Sequence, residues 1–220
     1  MKVLITSGAT REPIDSVRYI SNFSTGKTAS LIAQHFVEKN WEVLYCHGTG
    51  AVLASHTTNK EFSSFENLNR LLEENLSSKN FDLVIHAAAV SDYSLESIFA
   101  DGQELKPSMS KISRPEKLML QLKKNFKILN RLKSYSKNKD IGVIGFKLTT
   151  SNNPQEQLQA VQKVFSGGDV DLVVHNDWQE IQKSKEHHFG IFNSETELIG
   201  RSQGATSLAL KLEQWAKEIK

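Results

Sequence analysis

Apolar runs and amphipathic segments alternate along most of the chain. Runs typical of strands buried on both faces of a sheet are found at 2–6, 42–46, 82–88, 140–149 and 171–175. Apolar residues recur at helical spacing within 26–40, 65–76, 125–137, 155–165 and 206–219. Strands that alternate with helices form a sheet covered by helices on both sides. The pattern therefore predicts an α/β fold with a doubly wound, mostly parallel Rossmann-like sheet.

Two segments interrupt this alternation. Residues 91–115 are polar and without clear periodicity, which predicts a long loop, and such loops in compact domains are usually functional. Two short strand-like runs flank the sequence 193–195, which predicts a C-terminal β-hairpin appendage over 185–201. A length of 220 residues suits a single domain over 1–220 that contains this hairpin.

Composition and charge exclude several classes of protein. Hydrophobic residues make up 39 % of the chain, which is too many for a disordered protein, and no apolar run approaches a membrane span. Lys and Arg number 27 against 25 Asp and Glu, so no global charge favours nucleic acid or a membrane surface. The one cysteine, Cys46, excludes an internal disulfide. We expect a cytoplasmic protein with Cys46 buried at a strand end.

Ligands of open α/β sheets bind beyond the carboxyl ends of the strands. The loop that follows the first strand, 7–10 (SGAT), contains one glycine, whereas a dinucleotide site would have G-x-G-x-x-G there. The second strand ends in 45–48 (YCHG), without the acidic residue that binds an adenosine ribose. Both features argue against a dinucleotide.

A phosphate site is predicted where the first helix begins. Ser24 and Thr25 are typical N-cap residues, and Lys27 adds a full positive charge to the partial charge of the helix N-terminus. Capping alone would explain Ser24 and Thr25, but it does not explain Arg18 and Asn22 just upstream.

The third predicted strand ends in small residues. His86 is followed by three alanines, whose side chains leave space for a ligand at the edge of the sheet. Asp92 then stands at the rim, where it could hold a magnesium ion or a ribose hydroxyl, or simply cap a turn.

Two further patterns are weaker. Tyr135 and Lys139 match the Y-x-x-x-K pair of short-chain reductases, but their polar surroundings favour a solvated surface. His187 and His188 are adjacent, with no acidic partner at metal-ligand spacing, which argues against a metal site.

Several of these segments together resemble one family. The string ITSGATREPIDSVRYISNFSTGK, residues 5–27, is similar to the N-terminal signature of phosphopantothenate–cysteine ligases, in particular of their stand-alone bacterial form. The strings 86–93 (HAAAVSDY), 111–113 (KIS), 145–146 (GF) and 176–177 (ND) follow in the order that the family has them.

The resemblance implies an activity. Members join 4′-phosphopantothenate to L-cysteine in coenzyme A biosynthesis, and bacterial members typically use CTP, although ATP stays possible here. The carboxylate attacks the nucleotide α-phosphate to give an acyl-cytidylate and pyrophosphate, and the cysteine amine then displaces CMP. The resemblance also implies Mg²⁺ as cofactor and a homodimer, which we expect to form through the C-terminal hairpin.

The resemblance also implies roles for individual residues. The implied catalytic residues are Arg18, Asn22 and Lys111, with Lys111 at the end of a flap-like loop. The residues implied to bind nucleotide are Gly8, His86, Ala87, Ala88, Asp92, Lys111, Phe126, Lys127, Ile128, Leu129, Phe146 and Lys163. Those implied to bind the substrate are Arg18, Asn22, Ser24, Thr25, Gly26, Lys27 and Asn176, and Asp92 is the implied metal ligand.

The chain also departs from the family pattern. Phe126 and Lys127 replace a Pro-Asp pair, which leaves the selection of the base open, and Gly167-Gly168 occupies a place where a basic residue is expected. Two other functions stay open at this point. One is an NAD(P)-dependent short-chain reductase, and the other is a non-catalytic nucleotide-binding module.

Overall fold

The structure, a computed structural model, describes residues 1–105, 111–184 and 187–219. Its strands are β1 Lys2–Ser7, β2 Arg11–Pro13, β3 Tyr19–Ser21, β4 Glu42–Gly48, β5 Thr58–Phe62, β6 Leu83–His86, β7 Tyr93–Ala100, β8 Gln103–Leu105, β9 Leu118–Lys124, β10 Gly142–Thr149, β11 Leu172–Asp177, β12 His188–Asn193 and β13 Leu198–Gln203. Its α-helices are α1 Lys27–Glu38, α2 Phe65–Ser78, α3 Leu132–Tyr135, α4 Pro154–Phe165, α5 Trp178–Ser184 and α6 Gly204–Glu218, and a 3₁₀ turn occupies Ile128–Arg131.

The central sheet has the strand order β13-β12-β11-β10-β6-β1-β4-β5. Neighbouring strands from β5 to β11 run parallel, and β12 and β13 run antiparallel to their neighbours. The chain starts in the middle at β1, builds outward to β4 and β5, and then crosses to β6 on the other side of β1. This reversal of direction creates a crevice at the carboxyl ends of β1 and β6, which is where open α/β sheets bind ligands. The predicted fold class is confirmed.

Helices cover both faces of this sheet. On one face, Val3 and Ile5 pack with α1 and α6, whereas Leu4 between them packs on the opposite face with α2 and α3. All three side chains have no exposed surface. Because both faces are covered, the strands have the continuous apolar character that predicted a parallel sheet.

The start of α1 differs from the prediction. Its N-cap is Gly26, at a φ of +75° and without a side-chain cap, and the hydroxyl of Thr25 reaches the amide of Lys27 only at 3.4 Å. A Cβ atom at Gly26 would collide with Ser7 Oγ, so a residue without a side chain is required where the chain passes β1. The expectation that Ser24 and Thr25 cap the helix is wrong, and both side chains are exposed.

Two segments have a different secondary structure from the one predicted. The region 91–115 is not only a loop, since β7 pairs with β8 and β9 in a three-stranded antiparallel sheet. Of this region, residues 106–110 lie outside the described part of the chain. The predicted helix over 125–137 is replaced by an extended stretch, the 3₁₀ turn and the single turn of α3.

The C-terminal hairpin is confirmed, with shifted bounds. Its strands are β12 and β13, so it runs from His188 to Gln203, while residues 185 and 186 of the predicted range lie outside the described residues. Since β12 pairs with β11, the hairpin extends the central sheet and ends it at β13. Among the helices that the structure describes, none is long and apolar enough to cross a membrane.

We expect Gly168→Ala to destabilise the fold. A Cβ atom at Gly168 would lie 2.7 Å from the Cα atom of Asn130, so the backbone of the 3₁₀ turn would have to shift. Overpacking of this kind costs about 1–3 kcal/mol, measurable as a loss of unfolding free energy in urea. Gly200→Ala is the matched control, because its nearest contacts would be an ordinary 3.6 Å or more and we expect less than about 0.5 kcal/mol. Equal stabilities of the two variants would contradict this packing.

Candidate functional site

The floor of the crevice is formed where β1 and β6 end. Thr6 Oγ1 lies 2.9 Å from Nδ1 of His86 and accepts a hydrogen bond from the amide of Ala88 at 3.1 Å. Beyond the strands, the amide of Ala89 donates to the carbonyl of Gly8 at 2.8 Å, so the pairing continues past the strand ends. Burial lowers the pKa of His86 to about 4, which keeps the imidazole neutral near pH 7. The floor is therefore rigid and uncharged.

A compact backbone turn forms one wall. Gly8 has a φ of +77°, and a Cβ atom there would come within 2.7 Å of the Cβ of Ala51. Ser7 Oγ donates to the carbonyl of Gly26 at 3.2 Å and lies 2.7 Å from the hydroxyl of Tyr45. These contacts hold the N-terminus of α1 against the end of β1, with Lys27 exposed beside it. Backbone amides and a lysine at a helix N-terminus suit a phosphate group.

Cys46 does not take part in this wall as a reactive group. It is fully buried in β4, and burial raises the pKa of its thiol to about 12. The prediction of a buried cysteine at a strand end is confirmed, and the thiol is protonated at neutral pH.

Asn22 lies over the same crevice. Its side-chain amide donates to the carbonyl of Val90 at 3.2 Å. The neighbouring Ser21 donates through its hydroxyl to the carbonyl of Thr10 at 2.8 Å, and Thr10 Oγ1 in turn accepts from the amide of Ser91 at 2.9 Å. The structure thus joins the predicted catalytic asparagine to the segment that follows β6.

Arg18 connects the first loop to the segment that carries Lys111. The carboxylate of Asp15 accepts from Nε of Arg18 at 3.0 Å and from the amide of Ile112 at 3.0 Å. Arg18 itself also donates to the carbonyl of Ile112 at 3.1 Å. The guanidinium of Arg18 and the backbone amides hold the pKa of Asp15 well below its usual range, so the carboxylate is ionised at neutral pH. We call these contacts among Asp15, Arg18 and Ile112 the clasp. Lys111, next to Ile112, is exposed and lines a groove with Arg18.

Asp92 stands at the opposite rim of the crevice. Its carboxylate, which is largely exposed, forms an ion pair with Lys127. Its carbonyl accepts from the amide of Asn125 at 2.8 Å, and Asn125 Nδ2 donates to the carbonyl of Ser91 at 3.1 Å. Because Asn125 holds the backbone on both sides of the turn, Asp92 and Lys127 are brought together from two distant parts of the chain.

Sequence reasoning missed Glu12, which supports this rim. Glu12 is 4 % exposed, and its carboxylate accepts from the amide of Phe65 and from the hydroxyl of Ser94, each at 2.8 Å. Ser94 Oγ also accepts from Asn125 at 2.9 Å. The position of Glu12 inside the string 5–27 was the available signal, because that string carries the family resemblance.

The remaining predicted nucleotide residues lie on the β6–β10 side of the crevice. Phe126 is 37 % exposed, Ile128 is buried, and Leu129 packs so closely on Gly145 that a Cβ there would lie 2.7 Å away. Phe146 and Ala87 are half-buried against the core on the α1 side. Lys163 is exposed in the last turn of α4. Gly167, just beyond the end of that helix, packs against Asn130 of the 3₁₀ turn.

Asn176 lies two strands away from β6, near the carboxyl end of β11. Its neighbour Asp177 accepts from the hydroxyl of Thr149 at 2.6 Å and from the amide of Ser151 at 3.0 Å. Burial alone would raise the pKa of Asp177, but these hydrogen bonds outweigh it and lower the pKa. The local structure at Asn176 is therefore anchored, and its role as a substrate residue stays a prediction.

The weaker patterns serve local structure. Tyr135 donates to the side chain of Asn69 at 2.8 Å, and Lys139 Nζ donates to the carbonyl of Ser136 at 2.9 Å. His188 lies 2.8 Å from a carboxylate oxygen of Glu180. Within the described residues, no three His, Cys, Asp or Glu side chains are grouped to hold a metal ion.

We expect Asp15→Asn to release the segment next to Lys111. The uncharged side chain of Asn at position 15 cannot accept as many charge-assisted hydrogen bonds as the carboxylate does. The backbone amide hydrogen of Ile112 should therefore exchange roughly tenfold faster or more, as measured by NMR-detected hydrogen exchange. Asp169→Asn, at an exposed position, is the matched control and should leave this rate unchanged. Unaltered exchange at Ile112 in Asp15→Asn would mean that the clasp does not hold this segment.

The chain is similar to known proteins in both sequence and fold. The chain is 31 % identical over 91 % of its length to the coenzyme A biosynthesis bifunctional protein CoaBC of Thermococcus kodakarensis, but spans only 45 % of that protein. Its fold matches the crystal structure of the DNA/pantothenate metabolism flavoprotein from Streptococcus pneumoniae over 100 % of both chains, with a TM-score of 0.86 and 26 % identity. A Cab2 mutant in complex with phosphopantothenate-cysteine shares the fold, at 18 % identity over 99 % of this chain and 87 % of the other, with a TM-score of 0.76.

A family model also matches nearly the whole chain. The model describes the C-terminal domain of the DNA/pantothenate metabolism flavoprotein, and it matches residues 1–219. The chain spans less than half of the length of the first two CoaBC relatives, from Thermococcus kodakarensis and Methanocaldococcus jannaschii. On this match, the chain belongs to the family of the DNA/pantothenate metabolism flavoprotein C-terminal domain.

Proposed function

We propose that the protein is a phosphopantothenate–cysteine ligase of coenzyme A biosynthesis that uses CTP. The observation that carries this proposal is the clasp of Asp15 and Arg18, which holds the Lys111 segment close to the loop of Asn22 at the β1–β6 crevice. The names of the CoaBC relatives and the phosphopantothenate-cysteine bound to a Cab2 mutant support the same chemistry.

The reaction proceeds in two steps. An oxygen of the 4′-phosphopantothenate carboxylate attacks the α-phosphorus of CTP, and the bond to the β-phosphate breaks to release pyrophosphate. The nitrogen of L-cysteine then attacks the acyl carbon, CMP leaves with the bridging oxygen, and the amine loses a proton. Negative charge gathers on phosphoryl oxygens in the first step, so that step needs cations and hydrogen-bond donors.

Two cationic side chains supply this need. Lys111 is exposed in the groove that Arg18 also lines, and among the described residues its ammonium has no ion-pair partner that a triphosphate would have to displace. Arg18 contacts the substrate only through the face that Asp15 leaves free, and it mainly fixes the position of Lys111. Asn22 binds the acyl-nucleotide intermediate. To do so, its side-chain amide gives up the hydrogen bond to the carbonyl of Val90 and donates to the intermediate instead.

The N-terminus of α1 is assigned to the phosphate of 4′-phosphopantothenate. Ser24, Thr25 and Lys27 are exposed there and can reach a bound phosphate. Asn176, on the same edge of the sheet, is assigned to the same substrate. Partial positive charge at the helix end stabilises a phosphate dianion without the need for a strongly basic protein.

Mg²⁺ fits this site only as part of a nucleotide complex. Asp92 is the carboxylate at this rim, and it is paired with Lys127, so the protein offers at most one oxygen ligand from that side chain. Mg²⁺ commonly takes one or two carboxylates together with substrate phosphates and water. When bound, the ion would neutralise charge on the phosphates, while Asp92 would hold it at the rim.

A homodimer through the C-terminal hairpin is part of the proposal. β13 ends the strand order of the central sheet, and Leu198 and Ile199 on it are 41 % and 51 % exposed. Edge strands with exposed apolar side chains readily pair with a second copy.

The alternative function, a short-chain reductase, has no support at this site. The glycine fingerprint of a dinucleotide site is absent from the sequence, and the hydroxyl of Tyr135 bonds to Asn69.

We expect pyrophosphate release that requires both phosphopantothenate and nucleotide, with CTP more effective than ATP. Lys111→Gln should lower its rate about a hundredfold or more, because the charge that stabilises the transferring phosphate is lost. Lys39→Gln, at the exposed far end of α1, is the matched control and should keep the full rate.

The same assay separates the competing functions. Binding of CTP without pyrophosphate release in the presence of phosphopantothenate and cysteine would identify a nucleotide-binding module and contradict the ligase. Full activity of Lys111→Gln would remove Lys111 from the catalytic residues.

A further inference from the structure

An aromatic ring lies exposed at the rim of the crevice. Phe126 follows Asn125, whose amide bonds to the carbonyl of Asp92 at 2.8 Å, so the ring is fixed next to the predicted nucleotide residue. Its inner contact is Phe65, with ring centroids 4.9 Å apart at an interplanar angle of 75°. Although 37 % of Phe126 is exposed, the ring is thus held on a rigid support at the start of α2.

Arg131 covers part of this ring. Its guanidinium carbon lies 3.4 Å from the ring centroid, a separation that leaves room only for a guanidinium lying flat on the ring. The residue is exposed, and no carboxylate pairs with its guanidinium among the described residues. One face of the planar cation therefore rests on Phe126, and the residue as a whole is exposed to solvent.

We propose that Arg131, supported by Phe126, is the stacking platform for the nucleobase of the nucleoside triphosphate. This inference rests on the proposed function, and it adds Arg131 as a residue that binds the base. Nucleobases stack on guanidinium planes and on aromatic rings, and a guanidinium already held flat presents such a plane.

The position of Arg131 favours a base over a phosphate. The other candidate anion site, at the N-terminus of α1, lies against the β1–β4 side of the crevice, where Gly26 meets Ser7 and Ala51. Arg131 lies on the β6–β10 side, at the end of the turn whose Leu129 packs on Gly145. A nucleotide whose phosphates reach the groove of Lys111 would place its base away from that groove, on the side where the flat surface is.

The geometry also predicts what the platform does not do. Every base has a π-face, so stacking on a guanidinium discriminates weakly between cytosine and adenine. We therefore expect Arg131 to raise the affinity for CTP and ATP by similar factors, and the choice between these bases to depend on other contacts.

The test compares a ligand that has a base with one that has none. Equilibrium binding of CTP, ATP and inorganic tripolyphosphate is measured on the full chain and on Arg131→Ala. We expect the dissociation constants for CTP and ATP to rise about tenfold, within the range found for lost base stacking, while tripolyphosphate binding changes less than threefold. Arg131→Lys keeps the charge but not the plane, so it should also weaken CTP binding.

Controls separate this inference from the proposed function. Arg70→Ala, at an exposed position on α2, should leave all three affinities unchanged. Equal weakening of CTP and tripolyphosphate in Arg131→Ala, or unchanged binding of both, would overturn the platform while the ligase proposal stands. Absence of nucleotide binding to the unaltered protein would instead overturn both.

Discussion

The parallel pairing of β1 with β6 is the constraint from which the rest of this site follows. The paired residues 3–5 of β1 and 83–85 of β6 are buried on both faces of the sheet. The two strands therefore cannot shift relative to each other without exposing apolar surface. The chain leaves β1 toward β4 on one side and returns to β6 on the other, so the loops after both strands diverge. Asn22 bonds across this space to Val90, which follows β6, and the loop of Asn22 also holds the segment of Lys111 through Asp15 and Arg18.

Two acidic side chains convert this crevice into a defined site. Asp15, 8 % exposed, gathers Arg18 and the amide of Ile112, and Glu12, 4 % exposed, gathers the start of α2 and β7 through Ser94. Glu12 lies in β2 and Asp15 in the turn that follows it, and both carboxylates reach segments far along the chain. Charge-assisted hydrogen bonds of this kind position the exposed cation Lys111 and the exposed anion Asp92 without burying either one.

The central sheet was predictable because its strands are buried on both faces, which produces continuous apolar runs in the sequence. The three-stranded sheet of β7, β8 and β9 was missed because very few of its side chains are buried. In β7, only Ser94 and Ile98 are buried, so this strand lacks the continuous buried apolar run that marks the strands of the central sheet. The prediction of a helix over 125–137 is wrong because the start of this segment is extended. Asn125 hydrogen-bonds to Ser91 and Lys127 forms an ion pair with Asp92, and these contacts hold the backbone extended.

The candidate site was predictable in part. Arg18 and Asn22 came from the specific string 5–27 and Asp92 from the shorter string 86–93, and the structure links each of them to the loops around the crevice. Arg131 could not be found in this way, because its contact with Phe126 is created only by the fold. Glu12 lies in the string 5–27, but its bond to the amide of Phe65 also forms only in the fold. A stacked cation leaves no pattern along the chain.

The most direct test of the central claim follows oxygen-18 from the substrate. 4′-Phosphopantothenate labelled at both carboxylate oxygens is converted with CTP and L-cysteine, and the products are weighed by mass spectrometry. Attack of the carboxylate on the α-phosphate predicts one oxygen-18 atom in CMP and none in pyrophosphate. Unlabelled CMP, or label in released phosphate, would contradict the acyl-cytidylate route and with it the function assigned to this crevice.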